Sequence, residues 1–417
     1  MKKSGIILLF TISFIYPERP SVKVGGFVRM DSATDTRQGV AGPDCSCYIY
    51  PKKIECDDQC GDINARGNFI FTPAVTRLRI SADSPEMKNV NISGLIELDF
   101  YAYCSDIYGI TRMRHAFLKA EWENKSLLVG QYWHPIYPMR CFADTVSFNG
   151  GTPIETYARY PQIRFDWHKG ALGAKLTAYS QYQFTDKGPD GSTPFYMQNS
   201  MTPGLFGAVE IRKPRFFAGA GVNMQRLLPA LSTTTTSTNV TKRTYVSTDK
   251  LTSLIGTLYC SFDIKKFLIK TKIAVGQNGY SFGTLGGYAV NCLNPTTGKR
   301  CFENINFASW WGELVYRKYQ KIHPAIFVGI TRNLGTSHNK CIYRDDNENP
   351  IFYGYDSELH QVLRISPRIK SSFNYVHIGV EADFTKAWYG KMNAYGEQKN
   401  TYPTSNMRIL VATWYAF

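Results

Sequence analysis

The chain has no run of roughly 18 or more consecutive apolar residues, the length an α-helix needs to cross a hydrocarbon core. Mean hydropathy is −0.26, so helical membrane spans are excluded. A membrane β-barrel is not, because its lipid-facing and lumen-facing residues alternate and cancel in any average. Acidic residues are scarce, 33 against 48 basic ones, for a net charge of +15 and a pI near 9.2. Yet the basic residues form no stripe or tail of the kind that grips phosphates, and no nucleic-acid partner is expected. The histidines show no metal-motif spacing, and no Ser or Cys lies in a nucleophile signature. We therefore expect no catalytic residues, no metal, no cofactor and no enzyme activity. Internal repeats are also lacking.

What is abundant is aromatic. The 417 residues include 27 Tyr and 25 Phe, with 34 Gly. An excess of Tyr over Phe suits rings placed between headgroups and lipid tails. The last twelve residues, Asn406–Phe417, show how these rings are arranged. Met407, Ile409, Val411, Thr413, Tyr415 and Phe417 fall on one face at period two, and all but Thr413 are apolar or aromatic. Arg408, Leu410, Ala412, Trp414 and Ala416 take the other face. The pattern resembles the closing strand of Gram-negative outer-membrane barrels. That resemblance implies Phe417 and Tyr415 as an assembly signal read by the barrel assembly machinery.

The same alternation lays out about sixteen strands. The early ones are Ser21–Met30, Ala74–Asp83, Val90–Tyr101, Thr111–Trp122, Leu127–His134, Gln162–Trp167 and Leu172–Tyr182. Next come Leu205–Arg212, Phe216–Gln225, Thr252–Asp263, Leu268–Gly276 and Phe307–Arg317. Ala325–Arg332, Leu359–Ile369, Tyr375–Thr385 and the terminal strand complete the set. Connections alternate between short turns and long loops, the brief Ala102–Ile110 being the exception. A Greek-key sandwich has no reason to alternate so; a barrel with short periplasmic turns and long external loops does. Fold class is thus all-β, a transmembrane antiparallel barrel. Much of the basic charge, including Lys169, Lys213, Lys265 and Lys370, sits in the short turns, where it serves solubility.

Lys2 and Lys3 precede the apolar stretch Gly5–Tyr16, then Pro17 and Pro20. Residues 1–20 read as a signal peptide cut between about Ser13 and Ser21, and 21–417 as the barrel. Export also accommodates ten cysteines. Nine lie in expected external segments and only Cys260 within a strand. This clustering favours disulfides bracing the loops, with Cys292–Cys301 the most natural local pair. Cys45, Cys47, Cys56 and Cys60 suit two internal pairs or a zinc site. Nine is an odd number, which leaves at least one thiol free or paired between molecules.

The block Arg114–Pro135 (RHAFLKAEWENKSLLVGQYWHP), with the earlier GGFVRMDS (Gly25–Ser32) and Arg77–Leu78–Arg79–Ile80, resembles the DcaP-like porin family. The resemblance covers residues 22–135 and the closing strand. It implies a sixteen-stranded outer-membrane channel, a homotrimer passing small, often anionic organic solutes. Two features depart from the family. Members can carry an amino-terminal coiled coil, for which this sequence leaves only a few residues between signal and first strand. The cysteine-rich outer loops are also unusual.

A lumen lined by charge is the expected site. Arg77 and Arg79 share the face opposite Leu78, Ile80 and Ala82. Guanidinium against hydrocarbon would cost about 2–4 kcal/mol each, so both point inward. Arg164, Lys175, Lys270, Lys272, Arg364 and Arg368 are in the same phase, with Glu97, Asp99, Asp166, Glu210, Glu381 and Asp383 as acidic counterparts. Either these pair across strands, or a basic wall faces an acidic one and orients anions. Pro135–Pro161, with Arg140, Asp144, Glu155, Arg159 and a Gly150–Gly151 bend, is the candidate constriction loop; a purely external loop is the alternative. The sequence reads best as an outer-membrane porin in contact with lipid, a passive channel for hydrophilic and preferentially anionic, carboxylate-type solutes. A cysteine-crosslinked structural envelope protein or surface adhesin is the second reading, and a soluble secreted β-protein the third.

Overall fold

The computed structural model describes residues 20–42, 44–85, 89–104, 107–236, 242–319, 321–337 and 340–417. The expected signal peptide lies, apart from Pro20, outside the described residues. Sixteen antiparallel strands form one closed barrel. The first five are β1 Ser21–Asp35, β2 Arg77–Asp83, β3 Asn91–Cys104, β4 Ile107–Glu121 and β5 Lys125–Trp133. They continue as β6 Arg159–Lys169, β7 Leu172–Tyr179, β8 Gly204–Lys213, β9 Phe216–Leu227 and β10 Leu251–Ile264. The last six are β11 Phe267–Gln277, β12 Arg300–Tyr316, β13 Ile322–Thr336, β14 Leu359–Phe373, β15 Val376–Met392 and β16 Gln398–Ala416. Each pairs with the next, and β1 returns to β16 from Phe27↔Ala416 to Asp35↔Arg408.

All sixteen expected strands are present. Several run further toward the long loops than period two suggested: β12 begins at Arg300 rather than Phe307, and β16 at Gln398 rather than Asn406. Above the lipid neither face needs to be apolar, so the alternation that marks a strand fades while the ladder continues. Three short strands, Asn68–Thr72, Gly287–Leu293 and Phe352–Tyr353, extend the sheet at that end.

Which way the faces point is set by what lies on each side. On β16, Met407, Ile409, Val411, Tyr415 and Phe417 are exposed, while Arg408, Leu410 and Ala412 are buried. A soluble sheet would bury the first set. An apolar outer belt around a charged interior is the arrangement of a lipid-embedded barrel, its ladder closed across the hydrocarbon belt. The seam depends on one glycine. Gly26 exchanges hydrogen bonds with Phe417 (3.0 and 3.1 Å) and has φ +152°. A Cβ there would lie 2.2 Å from the carbonyl oxygen of Arg77 on the next strand, so a side chain would push the closure apart.

The core therefore sits inside the barrel rather than between layers. Residues 134–158 and 278–287 fold inward, and Tyr48 and Tyr50 descend from the first long loop. They meet in an aromatic cluster in which Tyr160 stacks on Tyr179 (centroids 4.9 Å apart) and His134 is ringed by Tyr160, Tyr179, Phe206 and Phe282.

Candidate pore-lining site

The site begins where β5 ends. Past Trp133 the chain meets Pro135 and Pro138, which cannot donate to a ladder, and it turns into the lumen instead of back along the sheet. An irregular segment inside a barrel needs partners for its own backbone. The walls supply them with charged side chains. Lys272 on β11 donates to the carbonyls of Ile136 (2.6 Å) and Thr156 (2.9 Å) and to the carboxylate of Glu155. Glu381 on β15 accepts from the amides of Val146 (2.7 Å) and Ser147 (3.2 Å). Glu313 on β12 accepts from the Asp144 amide at 2.9 Å, and Arg364 on β14 donates to Thr152 O at 2.6 Å. Lys370 reaches the Asp144 carboxylate at 2.7 Å. It therefore faces the lumen from within β14 and is not one of the solubilising turn lysines that the sequence reading made it.

One side of the lumen is rich in arginine. Across the β2–β3 ladder Arg77 faces Asp99 and Arg79 faces Glu97. Arg79 donates to Glu97 at 2.6 Å and Arg112 to Asp99 at 2.7 Å. Arg114 bridges both carboxylates, at 2.8 Å to Glu97 and 3.1 Å to Asp99. Arg159 has no ion-pair partner among the described residues; it lies between the rings of Trp133 (5.0 Å) and Phe184 (5.1 Å). Arg77 likewise rests over Phe27 at 5.1 Å. Three guanidinium groups thus share two carboxylates, with Arg77 and Arg159 beside them outside any ion pair among the described residues. Beside them is a cavity of about 350 Å³ lined by Arg29, Arg77, Arg114, Arg159 and Lys370 with Trp133, Tyr137 and Trp414. A second cavity, about 410 Å³, holds Arg140, Arg164, Asp166, Lys175, Glu210 and Arg212. There Arg164 meets Asp166 at 2.9 Å, while Lys175 and Arg212 share Glu210 at 2.5 and 2.6 Å. Arg140 lies over the Phe217 ring at 5.2 Å.

The remaining wall charges pair off: Arg364 with Asp383 at 3.1 Å, and Arg368 with Glu313 at 2.8 Å. Positive and negative groups are interleaved along neighbouring strands. The alternative of a basic wall opposite an acidic wall is thereby corrected, because a low-dielectric interior holds opposite charges together unless something else neutralises them. Sequence reasoning did not single out Arg112, Arg114, Glu313 or the pair Asp35–Arg408 (2.8 Å) as lumen groups. The β3–β4 ladder slips between Glu97 and Leu98, and there both Arg114 and His115 turn inward, which breaks the two-residue phase. Arg112 and Arg114, two residues apart like Arg77 and Arg79, were the available signal. The inward segment 278–287 carried none.

Cys292 and Cys301 form the expected disulfide across a nine-residue separation. Cys45, Cys47, Cys56 and Cys60 stand as free thiols, contrary to the two pairs or zinc site expected of them. Cys45 and Cys47 belong to the stretch that descends into the barrel, where the Cys45 carbonyl accepts from Arg408 at 2.9 Å; Cys56 and Cys60 are exposed. Among the described residues no group of three or more His, Cys, Asp or Glu is gathered for a metal. Cys141 is not external either. It is buried on the inward segment with its Sγ 3.1 Å from Cys260 O, and burial pushes its thiol up to about 12. Asp186, in the loop after β7, is fully buried and accepts from Gln181 at 2.5 Å. Burial raises its carboxyl to about 6, the hydrogen bond from Gln181 opposing.

No family model and no curated protein matches the sequence. Solved structures do. The outer-membrane channel DcaP of Acinetobacter baumannii superimposes with a TM-score of 0.67 at 16% identity, over 95% of this chain and 97% of that one. OmpT of Vibrio cholerae follows at 0.56 and 10% identity, covering 97% of this chain and 100% of its own. The anion-selective porin from Comamonas acidovorans gives 0.55 at 10% identity over 96% and 100%. At these identities what is shared is architecture: the chain has a closed sixteen-stranded antiparallel barrel, the fold it shares with the outer-membrane channel DcaP.

Proposed function

We propose that the protein is a passive outer-membrane channel for small hydrophilic solutes that favours anions, carboxylates above all. The observation that carries this reading is the excess of guanidinium over carboxylate beside the inward segment. Arg77, Arg140 and Arg159 have no ion-pair partner among the described residues, so their charge is not cancelled locally. A guanidinium keeps its charge at any physiological pH and offers a carboxylate two parallel bonds. The anion-selective porin from Comamonas acidovorans, which shares the fold, agrees with this reading. On it, residues 135–158 narrow the route and the lumen charges act as a filter. Three copies assemble, as in the trimer form of Vibrio cholerae OmpT, and the last strand with Tyr415 and Phe417 is what the barrel assembly machinery recognises. The cysteine-crosslinked coat protein is not favoured, since the inward segments and lumen charges have no part in it.

Reconstitution in planar bilayers under a salt gradient tests the proposal. The parent should open in steps with an anion-selective reversal potential. Arg77→Gln with Arg140→Gln should move that potential toward cations, more so at low salt, where screening is weakest. A silent barrel refutes the channel. Openings whose selectivity the double change leaves untouched refute the filter.

A further inference from the structure

The barrel wall is not continuous at its outer edge. Pairing of β2 with β3 stops at Arg77↔Asp99, and the described ladder does not resume on that side of β3 for Phe100–Tyr103. The neighbouring strand Asn68–Thr72 is paired with β1, from Asp31↔Thr72 to Asp35↔Asn68, and its other edge faces the same gap. Between the two lies a cavity of about 610 Å³. Ile70 and Phe71 stand on one side, Phe100 and Tyr108 on the other, with Asp44 and Tyr101 lining its inner end. Phe71, Phe100 and Tyr108 are exposed on the outer face, while Tyr101 turns inward against Phe148 of the inward segment, centroids 4.7 Å apart. The cleft thus runs from lipid-facing to lumen-facing residues.

Its chemistry is of two kinds. The walls are apolar and open to the bilayer at the level where β3 leaves it, ten residues from its periplasmic start and so about the height of the outer headgroups. The inner end is polar and incompletely satisfied. The Tyr101 hydroxyl is buried beside Ser46 and Asp44 and makes no close hydrogen bond among the described residues. Asp44 accepts from the Ser46 amide (3.0 Å), Ser46 Oγ (2.8 Å) and Thr72 Oγ1 (3.0 Å) and has no cationic partner among the described residues. A lone carboxylate behind an apolar slot is complementary to a cation on an alkyl chain.

We propose that this cleft binds a single-chain amphiphile with an ammonium head, the chain lying between Phe71 and Phe100 and the head reaching Asp44 and the Tyr101 hydroxyl. The test uses the full chain in lipid nanodiscs with Tyr108→Trp as reporter and Leu118→Trp, exposed on the lipid-facing side of β4, as control. The probe is dodecylamine brominated at its chain end. Quenching at position 108 should saturate and be displaced by plain dodecylamine but not by dodecyl sulfate, and Asp44→Asn should raise its midpoint at least tenfold. At position 118 quenching should only track bulk partition. Equal, unsaturable quenching at both positions overturns the site, as does indifference to Asp44→Asn. A photoreactive residue at Phe71 that crosslinks to a second copy of the chain also overturns it, because the cleft is then a protomer contact. None of these readouts depends on conductance, so the site and the channel can fail separately.

Discussion

Replacing Lys272 with Met should loosen the inward segment, and by a calculable amount. The Lys272 ammonium is buried on β11 and gives its hydrogen bonds to Glu155, Ile136 O and Thr156 O, so it clamps both ends of residues 136–156 at one point. Met preserves the stem and removes the charge. Glu155 is then left fully buried without its cation, and two carbonyls lose a donor. Breaking one side of a buried pair costs about 3–5 kcal/mol. At about 1.4 kcal/mol per tenfold, the balance between the seated and released segment shifts by about two to three and a half orders of magnitude. Lys370, Arg364 and Glu381 still hold its middle, so release should be partial and intermittent. Single-channel recordings should show added flicker toward larger conductance, and proteolysis within 135–158 should accelerate. The double change Lys272→Met with Glu155→Gln removes both charges and should recover most of the parent's quiet trace and resistance, since a neutral pair leaves no orphan. If the single and double variants behave alike, the segment is seated by packing and the charge argument is wrong.

Two further expectations come from buried loop groups. A membrane-impermeant maleimide applied to intact cells should label Cys56, Cys60 and Cys341, which are exposed, and leave Cys141, buried and pushed up to about 12, unmodified until the barrel is unfolded; labelling of Cys141 at a comparable rate would place the inward segment outside the lumen. Asp186 titrates near 6 when folded against 3.8 otherwise, so the folded state holds the extra proton between those values. Stability should therefore fall as pH rises from about 4 to about 6, by up to about 3 kcal/mol, and level off above. Urea midpoints in detergent should show that slope in the parent and lose it in Asp186→Asn, and parallel profiles would refute the assignment.

How much of this could be read from the residues differs by region. The sixteen strands were legible because lipid imposes period two on every one of them, as β16 shows with Met407, Ile409 and Val411 out and Arg408, Leu410 and Ala412 in. Lumen phase was legible for the same reason at Arg77, Glu97, Lys175, Arg364 and Glu381, which all face inward. It failed at Arg114, where a bulge resets the phase, and at Lys370, taken for a turn residue although its strand runs on to Phe373. The inward segments were a harder case. Pro135–Pro161 carried paired charges and Gly150–Gly151, but 278–287 is built of Gly, Asn, Ser, Thr, Tyr, Phe and a single Leu that serve equally in an external loop. Its burial comes from the Tyr160–Tyr179–Phe206 surface supplied by distant strands, and no local pattern encodes that. Cysteine spacing misled for a related reason. Cys45 and Cys47 follow a backbone pinned by Arg408 rather than each other's reach.

The charge of +15 also divides unequally in its consequences. Most lumen cations are neutralised within about 3 Å: Arg408 by Asp35, Arg364 by Asp383, Arg368 by Glu313, Lys175 by Glu210. Such a pair acts on a passing ion as a dipole, whose field dies away faster than that of a bare charge. At physiological ionic strength even a bare charge reaches only about 8 Å through water, so paired wall groups contribute little to what a solute feels. They hold the barrel interior and the inward segment in register instead. Arg77, Arg140 and Arg159, resting on Phe27, Phe217 and Trp133, are the cations whose field survives, because an aromatic face stabilises a guanidinium without cancelling its charge. Selectivity should accordingly follow these three positions and not the total number of basic residues. A variant stripped of several paired lysines would then conduct with the parent's ion preference, provided each is removed together with its acid.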